Sequence, residues 1–198
     1  FPRPVYEGWA SAFRSEDPSI AVEYIGSSSS DGLEQLFEGT EVVFVGTEII
    51  PSDADFQSIP DIQLMPFLVG AFVPISPSFP DAILTTELLA DIFMGNVEFW
   101  DNERIVALNP SIKFPHEPIP IVYRAERSGI TKVMTAALSK FSPKWAAKYG
   151  STAEWPLELQ QQTDKYFPAD GNEATGTSTA IIPFSIGYTS FEYLRNTR

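Results

Sequence analysis

The strongest structural signal in this chain of 198 residues is a strand followed at once by an amphipathic helix. The strand is predicted over residues 119–123, an apolar run. Beyond it, apolar side chains recur at the spacing of one helix face, at Ile130, Val133, Met134, Ala137, Leu138 and Phe141. A strand that leads into a helix is the building unit of α/β proteins, so this segment predicts that fold class.

The same alternation recurs along the chain. Residues 21–25, 42–45 and 186–189 predict further strands, and residues 42–45 form a continuous β-branched and aromatic run typical of a strand buried on both faces. Helical spacing predicts helices over residues 2–13 and 85–93. Strands that alternate with helices favour an α/β architecture with mainly parallel strand pairing.

Capping residues and glycines mark the predicted helix ends. Asp31, with Glu34 three residues later, predicts the N-cap of a short helix that ends at Gly39. Gly171 and Gly176 predict a loop before the last strand. Four tryptophans are expected to pack in the core or between lobes: Trp9, Trp100, Trp145 and Trp155.

Charge limits the partners that the chain can take. The formal net charge is −13, which repels phosphodiester backbones and anionic membranes, so nucleic-acid binding and polybasic docking to lipid are disfavoured. Residues 1–70 hold twelve acidic and two basic side chains. A segment this acidic is typical of a solvated face, and the functional alternative is a docking surface for a basic partner.

Residue types exclude several kinds of site. The chain contains no cysteine, so a thiolate nucleophile, a disulfide and a cysteine zinc site are ruled out. The single histidine, His116, lies in a proline-bounded loop and is predicted to be an ordinary surface residue. The longest apolar run, residues 64–75, falls short of the roughly 20 residues that cross a bilayer, so no membrane insertion is predicted.

Two segments combine hydroxyl groups with the predicted start of a helix. They are residues 27–32 and residues 124–129. The N-terminus of a helix offers free N–H donors and partial positive charge to an anion, and Arg124 adds a planar fork for two oxyanion oxygens. Each segment is also compatible with simple helix capping, so an anion site is one of two interpretations.

The chain resembles the phosphate-binding proteins that serve bacterial ABC phosphate importers, which are two-lobed periplasmic binding proteins. The similar segments follow the family's order over nearly the whole chain. They are the Phe1, Pro2, Pro4, Tyr6 and Trp9 pattern and residues 22–24, 27–32, 42–48, 88–95, 100–101, 108–110, 124–129 and 185–188.

This resemblance implies a two-lobed fold in which each lobe is a mainly parallel sheet flanked by helices. Residues 1–70 plus 186–198 would form lobe 1, and residues 71–185 would form lobe 2. The family's glycine-rich strand before this point is absent, so the first lobe is expected to be incomplete and the chain to be processed or a fragment. A periplasmic or extracellular location follows from the same resemblance.

The resemblance also implies a ligand set for phosphate or a similar oxyanion. The family's contacts carry over to the Phe1 backbone, Ser29, Ser30, Arg124, Ser128 and Gly129. Glu48 stands where the family has an aspartate that accepts the proton of hydrogen phosphate and rejects sulfate. Ile130 replaces a threonine of the family and puts an apolar side chain at the edge of the site.

Two functional hypotheses follow. The first is a non-catalytic solute-binding domain, without cofactor or metal, that closes two lobes over an oxyanion, with phosphate the leading ligand and a membrane transporter as partner. The alternative is a structural or protein-interaction module of a larger extracellular assembly whose ligand site has degenerated, as Glu48 and Ile130 suggest. An enzyme is the weakest interpretation, since no catalytic pattern stands out.

Overall fold

The structure is a computed structural model that describes residues 3–191 and 193. Helices and strands alternate from residue 72 onward, whereas the elements before that point are helices only. In chain order the elements are α1 (Arg3–Glu16), α2 (Ser29–Phe37), α3 (Asp53–Ser58), β1 (Phe72–Ile75), α4 (Thr86–Phe93), α5 (Glu103–Leu108), β2 (Ile121–Arg124), α6 (Gly129–Phe141), α7 (Pro143–Lys148), α8 (Leu157–Gln160), β3 (Tyr166–Ala169), α9 (Gly171–Ile181) and β4 (Gly187–Ser190).

Strand pairing is mixed rather than mainly parallel in the described part of the chain. β2 pairs with β3 in parallel, and Ile121 of β2 forms a parallel bridge with Ile186. β1 and β4 pair antiparallel, with Phe72 opposite Ser190. All four residues of β2 are buried, which agrees with the apolar run that predicted this strand.

The hydrophobic core is formed by side chains from the part of the chain that runs from α4 to β4. Trp145, Trp155 and Tyr188 are almost fully buried there, and Trp155 stacks on Tyr188 with ring centroids 5.7 Å apart. Trp100 is also buried, and its indole N–H donates to the carbonyl oxygen of Phe184 at 2.6 Å. Trp9 is not a core residue, since it is 50% exposed on α1. The other predicted role, packing between lobes, stays a prediction for this residue.

The strands predicted over residues 21–25 and 42–45 are not formed. Both segments run without regular secondary structure, and the side chains of Val43 and Phe44 are 83% and 55% exposed rather than buried. β-branched composition reports a preference for extended backbone, but a strand exists only where a second strand takes up its N–H and C=O groups. The sequence pattern indicated the preference for extended backbone, but it could not show whether a partner strand is present.

Helices α2 and α4 end at the predicted glycines, but the N-cap of α2 is not the predicted residue. Gly39 and Gly95 have φ of 68° and 80° just after α2 and α4, the conformation expected of a C-terminal glycine. The N-cap of α2 is Ser28, whose side chain accepts from the Asp31 N–H at 3.1 Å. Asp31 is thus the third helical residue, and its carboxylate, rather than that of Glu34, reaches back to the Ser28 N–H.

The loop predicted around Gly171 and Gly176 is instead helix α9. Gly171 begins this helix with φ of 78°, and Gly176 lies inside it where a side chain would overlap the ring of Tyr193. Six elements had no sequence prediction: α3, β1, α5, α7, α8 and β3. Each has only four to six residues, too few to show a clear helix or strand period.

His116 lies on the surface, as predicted. Its side chain is 73% exposed, lies 2.9 Å from a carboxylate oxygen of Asp101 and stacks on Phe99.

Among residues 3–191 and 193, no helix has the length and apolar character needed to cross a bilayer.

Candidate functional site

Two helix N-termini meet at one point of the molecule. Ser29 is the first residue of α2 and Gly129 is the first residue of α6. A β-carbon placed on Gly129 would lie 2.6 Å from the Ser29 hydroxyl oxygen, so the two helix starts are in contact. The unpaired N–H groups and partial positive charges of both helices therefore converge, which favours an anion between them.

The two serines that begin α2 differ in their hydrogen bonding. Ser29 is 8% exposed, and its hydroxyl donates to the carboxylate of Glu48. The hydroxyl oxygen of Ser30 is buried and has no hydrogen-bond partner within residues 3–191 and 193. A buried hydroxyl without a partner costs about 1–3 kcal/mol, so Ser30 offers a donor that a ligand oxygen could accept.

Glu48 supplies the negative charge of the junction. Its carboxylate lies against both Ser29 and the α-carbon of Gly129, and its backbone N–H points to the Ser29 hydroxyl oxygen at 3.4 Å. No ion pair joins Glu48 to Arg124 in the described residues. The Glu48 carboxylate instead accepts the hydrogen bond of the Ser29 hydroxyl.

Arg124 lies at the end of β2 and is 7% exposed. Its Nε donates to Glu126 Oε1 at 2.8 Å, and its Nη1 donates to Asn172 Oδ1 at 2.7 Å. The remaining guanidinium nitrogen, Nη2, also contacts Glu126 Oε1. The positive charge of Arg124 is thus balanced by Glu126, whose other carboxylate oxygen is buried and has no hydrogen-bond partner in the described residues.

A chain of hydroxyl groups connects Arg124 with the start of α6. The Ser128 hydroxyl accepts from the Thr131 N–H at 3.1 Å and donates to the Thr131 hydroxyl at 3.0 Å. The Thr131 hydroxyl lies 2.8 Å from the phenol oxygen of Tyr188, which accepts from the Arg124 N–H at 3.2 Å. Complete burial raises the pKa of Tyr188 to about 12, so this phenol stays protonated at neutral pH.

A small cavity opens beside the junction. It measures about 120 Å³ and is bordered by Glu48 on its polar side and by Ile130 and Val133 of α6 on its apolar side. Tyr6 of α1 and Ser190 of β4 also line it, so residues from both ends of the described chain meet there. Ile130 lines this cavity; its predicted place at the edge of a ligand site stays a prediction.

The structure brings most of the predicted site residues together in two groups. Ser29, Glu48 and Gly129 form the junction, and Ser128 carries the hydroxyl chain that leads back to Arg124. Ser30 follows Ser29 in α2, and its hydroxyl makes no hydrogen bond to either group in the described residues. Phe1 lies outside the described residues.

Sequence reasoning missed the four partners of Arg124 and Ser128, namely Glu126, Asn172, Thr131 and Tyr188. The opposite charge two residues after Arg124 was a usable signal for Glu126. Asn172 and Tyr188 come from α9 and β4, so only the tertiary fold places them. Thr131 lies three residues after Ser128, and its contact with Ser128 is a local helix-cap contact. Within the described residues, no group of three acidic or histidine side chains is arranged to hold a metal ion.

Comparison with known proteins identifies the family of the chain. The family model described as "PBP superfamily domain" matches residues 2–198. The phosphate-binding protein PstS of Methanocaldococcus jannaschii is 32% identical over 205 residues, a match that covers 98% of this chain and 52% of the relative. PstS of Haemophilus influenzae is 29% identical, with 98% and 57% covered. The chain thus spans little more than half the length of these relatives.

Solved structures give the same answer for the fold. A protein from Clostridium perfringens, assigned as a phosphate ABC transporter substrate-binding protein and crystallised with bound phosphate, aligns with a TM-score of 0.65 at 21% identity. The alignment covers 96% of this chain and 67% of that protein.

Proposed function

Because the chain belongs to the PBP superfamily domain family, we propose that it is a non-catalytic solute-binding domain whose ligand is an oxyanion, with inorganic phosphate the first candidate. The predicted family and α/β fold are confirmed by the family match and by the likeness to the phosphate-bound structure. The relatives are named phosphate-binding proteins, which supports phosphate over other oxyanions as the ligand.

One observation carries the proposal: the N-termini of α2 and α6 converge, with the Ser29 hydroxyl directly beside the start of α6. Directed N–H and hydroxyl donors can hold an anion in a protein whose net charge is −13, since charges beyond about 8–10 Å are screened at physiological salt. Binding energy then comes from a few short contacts rather than from the overall field.

Each site residue has a role in this proposal. Ser29, Ser30 and the Gly129 N–H donate to ligand oxygens, and the Glu48 carboxylate accepts the proton of hydrogen phosphate. Arg124 and Ser128 close the second side of the site once the Arg124 guanidinium turns from Glu126 toward the ligand. The Phe1 backbone N–H completes the set.

Closure is proposed to occur between two lobes, with residues 1–70 plus 186–198 on one side and residues 71–185 on the other. The chain crosses between these lobes at β1 and β4, which pair side by side over four residues. Two adjacent crossing strands suit a hinge, because small changes of φ and ψ in both rotate one lobe against the other. Ser29 and Gly129 belong to opposite lobes, so closure would tighten their contact.

The setting of the protein is part of the proposal. The relatives are phosphate-binding proteins, and the structural neighbour is assigned as a substrate-binding protein of a phosphate ABC transporter. These similarities favour a periplasmic or extracellular domain that delivers its ligand to an ABC transporter. The alternative, a degenerate interaction module, is not favoured by these names.

Titration calorimetry on ligand-free protein tests the proposal with phosphate, arsenate and sulfate. Binding of phosphate is expected to weaken at least tenfold in a Ser29→Ala/Ser30→Ala variant, which removes two donors worth about 1 kcal/mol or more each. Ser11→Ala/Ser15→Ala, the same change on exposed residues of α1, is the matched control. Absence of heat with every oxyanion at millimolar concentration would contradict the proposal.

A further inference from the structure

The cavity of about 120 Å³ beside the junction is mostly apolar. Ile130 and Val133 of α6 line it, and Glu48 brings a carboxylate to its wall. Among the described residues, no lysine or arginine borders the cavity. Residues 21–25 and 42–45 do not border it either, so its walls do not depend on those unpaired segments. The cavity therefore suits an uncharged, apolar group.

This cavity adjoins the proposed oxyanion site. Glu48 belongs to both, because its carboxylate accepts the Ser29 hydroxyl and lies against Gly129. Ile130 follows Gly129 directly in α6 and is 8% exposed. A ligand held at the start of α6 would thus have the cavity next to it.

An oxyanion at the start of α6 would meet hydrocarbon on the side of the cavity. The side chain of Ile130 has no donor, and neither has that of Val133, three residues further along the same helix face. A ligand oxygen buried against these side chains would lose its hydrogen bonds to water without replacement. A carbon substituent there would instead raise affinity about fourfold for each buried CH2 group.

The volume of the cavity limits the length of such a substituent. An apolar cavity of about 150 Å³ holds benzene, so a slightly smaller one holds an alkyl group of about two to four carbon atoms. The cavity measures about 120 Å³, which is in that range. A tetrahedral oxyanion with one short alkyl group matches both the polar junction and the apolar cavity.

We propose that the site takes a short-chain alkylphosphonate more tightly than inorganic phosphate. This inference rests on the proposed oxyanion site. Two phosphonate oxygens would accept from the Ser29 hydroxyl and the Gly129 N–H, and a protonated third oxygen would donate to the Glu48 carboxylate. The alkyl group would enter the cavity against Ile130 and Val133.

Ligands of graded length test the proposal by calorimetry on ligand-free protein. We expect affinity to rise about fourfold per carbon from methylphosphonate to propylphosphonate. Propylphosphonate should bind about tenfold or more tightly than phosphate, and hexylphosphonate no more tightly than propylphosphonate, because its chain exceeds the cavity. Ethyl phosphate is the matched control ligand: it has the shape of propylphosphonate with an oxygen in place of the first CH2 group, and should bind at least about fourfold more weakly.

Protein variants locate the alkyl group. Ile130→Thr introduces a hydroxyl donor, and Val133→Phe fills the cavity, so each should lower the ratio of propylphosphonate to phosphate affinity at least about tenfold. Val106→Phe is the matched control, because residue 106 lies in α5, is 40% exposed and does not line the cavity. Circular dichroism before titration checks that the variants keep the helical content of the parent.

The possible failures are distinguishable. Phosphate binding that equals or exceeds the binding of every alkylphosphonate would overturn this inference and leave the proposed oxyanion site standing. A ratio unchanged in both Ile130→Thr and Val133→Phe, or equal affinity for ethyl phosphate and propylphosphonate, would overturn it as well. Absence of heat with phosphate and with every phosphonate would overturn the oxyanion site and this inference together.

Discussion

Glu48 and Gly129 are in direct contact where the N-termini of α2 and α6 meet. The carboxylate of Glu48 lies so close to the α-carbon of Gly129 that a methyl group at position 129 would overlap it. This contact joins the two halves of the proposed oxyanion site.

A methyl group at residue 129 is therefore expected to block the site. Gly129→Ala would displace Glu48 and press on Ser29, so phosphate affinity should fall tenfold or more in calorimetry, while alanine remains a good helix former. Gly8→Ala is the matched control: residue 8 lies in α1 with open space around it, and the change should stabilise the protein by about 0.5–1 kcal/mol without altering affinity. Unchanged affinity in Gly129→Ala would exclude this junction as the site.

Glu48 is expected to set the preference between oxyanions. At neutral pH phosphate carries a proton that a carboxylate can accept, whereas sulfate carries none and meets only repulsion. Glu48→Gln should therefore reduce the ratio of phosphate to sulfate affinity by about tenfold or more. Competition titrations measure this ratio, with Glu16→Gln on α1 as a control for the loss of one negative charge. A ratio equal to that of the parent would show that Glu48 does not face the ligand.

Stability at acid pH should depend on Asp91. Burial tends to raise the pKa of this carboxyl, but hydrogen bonds from Arg104 at 2.6 Å and Asn96 at 3.2 Å outweigh it and lower the pKa. A lowered native pKa stabilises the protein above the unfolded value of about 4, and this contribution is lost as pH falls further.

Asp91→Asn is accordingly expected to cost about 1–3 kcal/mol at pH 7 and to flatten the decline of stability toward pH 3. Urea unfolding between pH 3 and pH 7 measures both effects, with the exposed Asp164→Asn as control. An identical acid decline in parent and Asp91→Asn would rule out this residue as the source.

Tyr188 should govern stability at alkaline pH. Its native pKa of about 12 lies above the unfolded value near 10, so the native state binds more protons in between and stability falls as pH rises from 10 to 12. Tyr188→Phe removes this ionisation and leaves the Arg124 N–H and the Thr131 hydroxyl without their shared partner.

The expected outcome for Tyr188→Phe is a loss of about 1–3 kcal/mol at pH 7 and a shallower decline above pH 10, measured by urea unfolding. Burial also raises the pKa of Tyr166, so a Tyr166→Phe variant reports how much of the alkaline decline belongs to that second phenol. A decline as steep in Tyr188→Phe as in the parent would contradict the assignment.

The sequence predicted elements well where local signals were strong. The periodicity of residues 130–141 and the glycine at 95 gave helices α6 and α4 close to their observed bounds. The prediction was wrong over α9, because the glycine at 176 favours a loop by local propensity. Packing of this segment on β2 and β4 stabilises a helix there instead. Local propensity is a weak prior that tertiary contacts override.

The site was predictable to a similar extent. Motif resemblance selected Ser29, Glu48 and Gly129, and the fold places all three in contact. The motif did not reveal that Glu126 neutralises Arg124, because this contact depends on side-chain orientation. It also did not reveal that Tyr188 joins Arg124 to Thr131, because Tyr188 lies far from both in the chain.

By itself, the sequence determined the family, the acidic first segment and the helix starts that suit an anion, because these follow from residue type and local spacing. Tertiary structure alone decided which extended segments became strands. Residues 121–124 found a partner in β3, whereas residues 21–25 and 42–45 remain unpaired, although all three segments have the composition of a strand. A strand is a property of two segments, and its second segment is supplied by the fold rather than by local sequence.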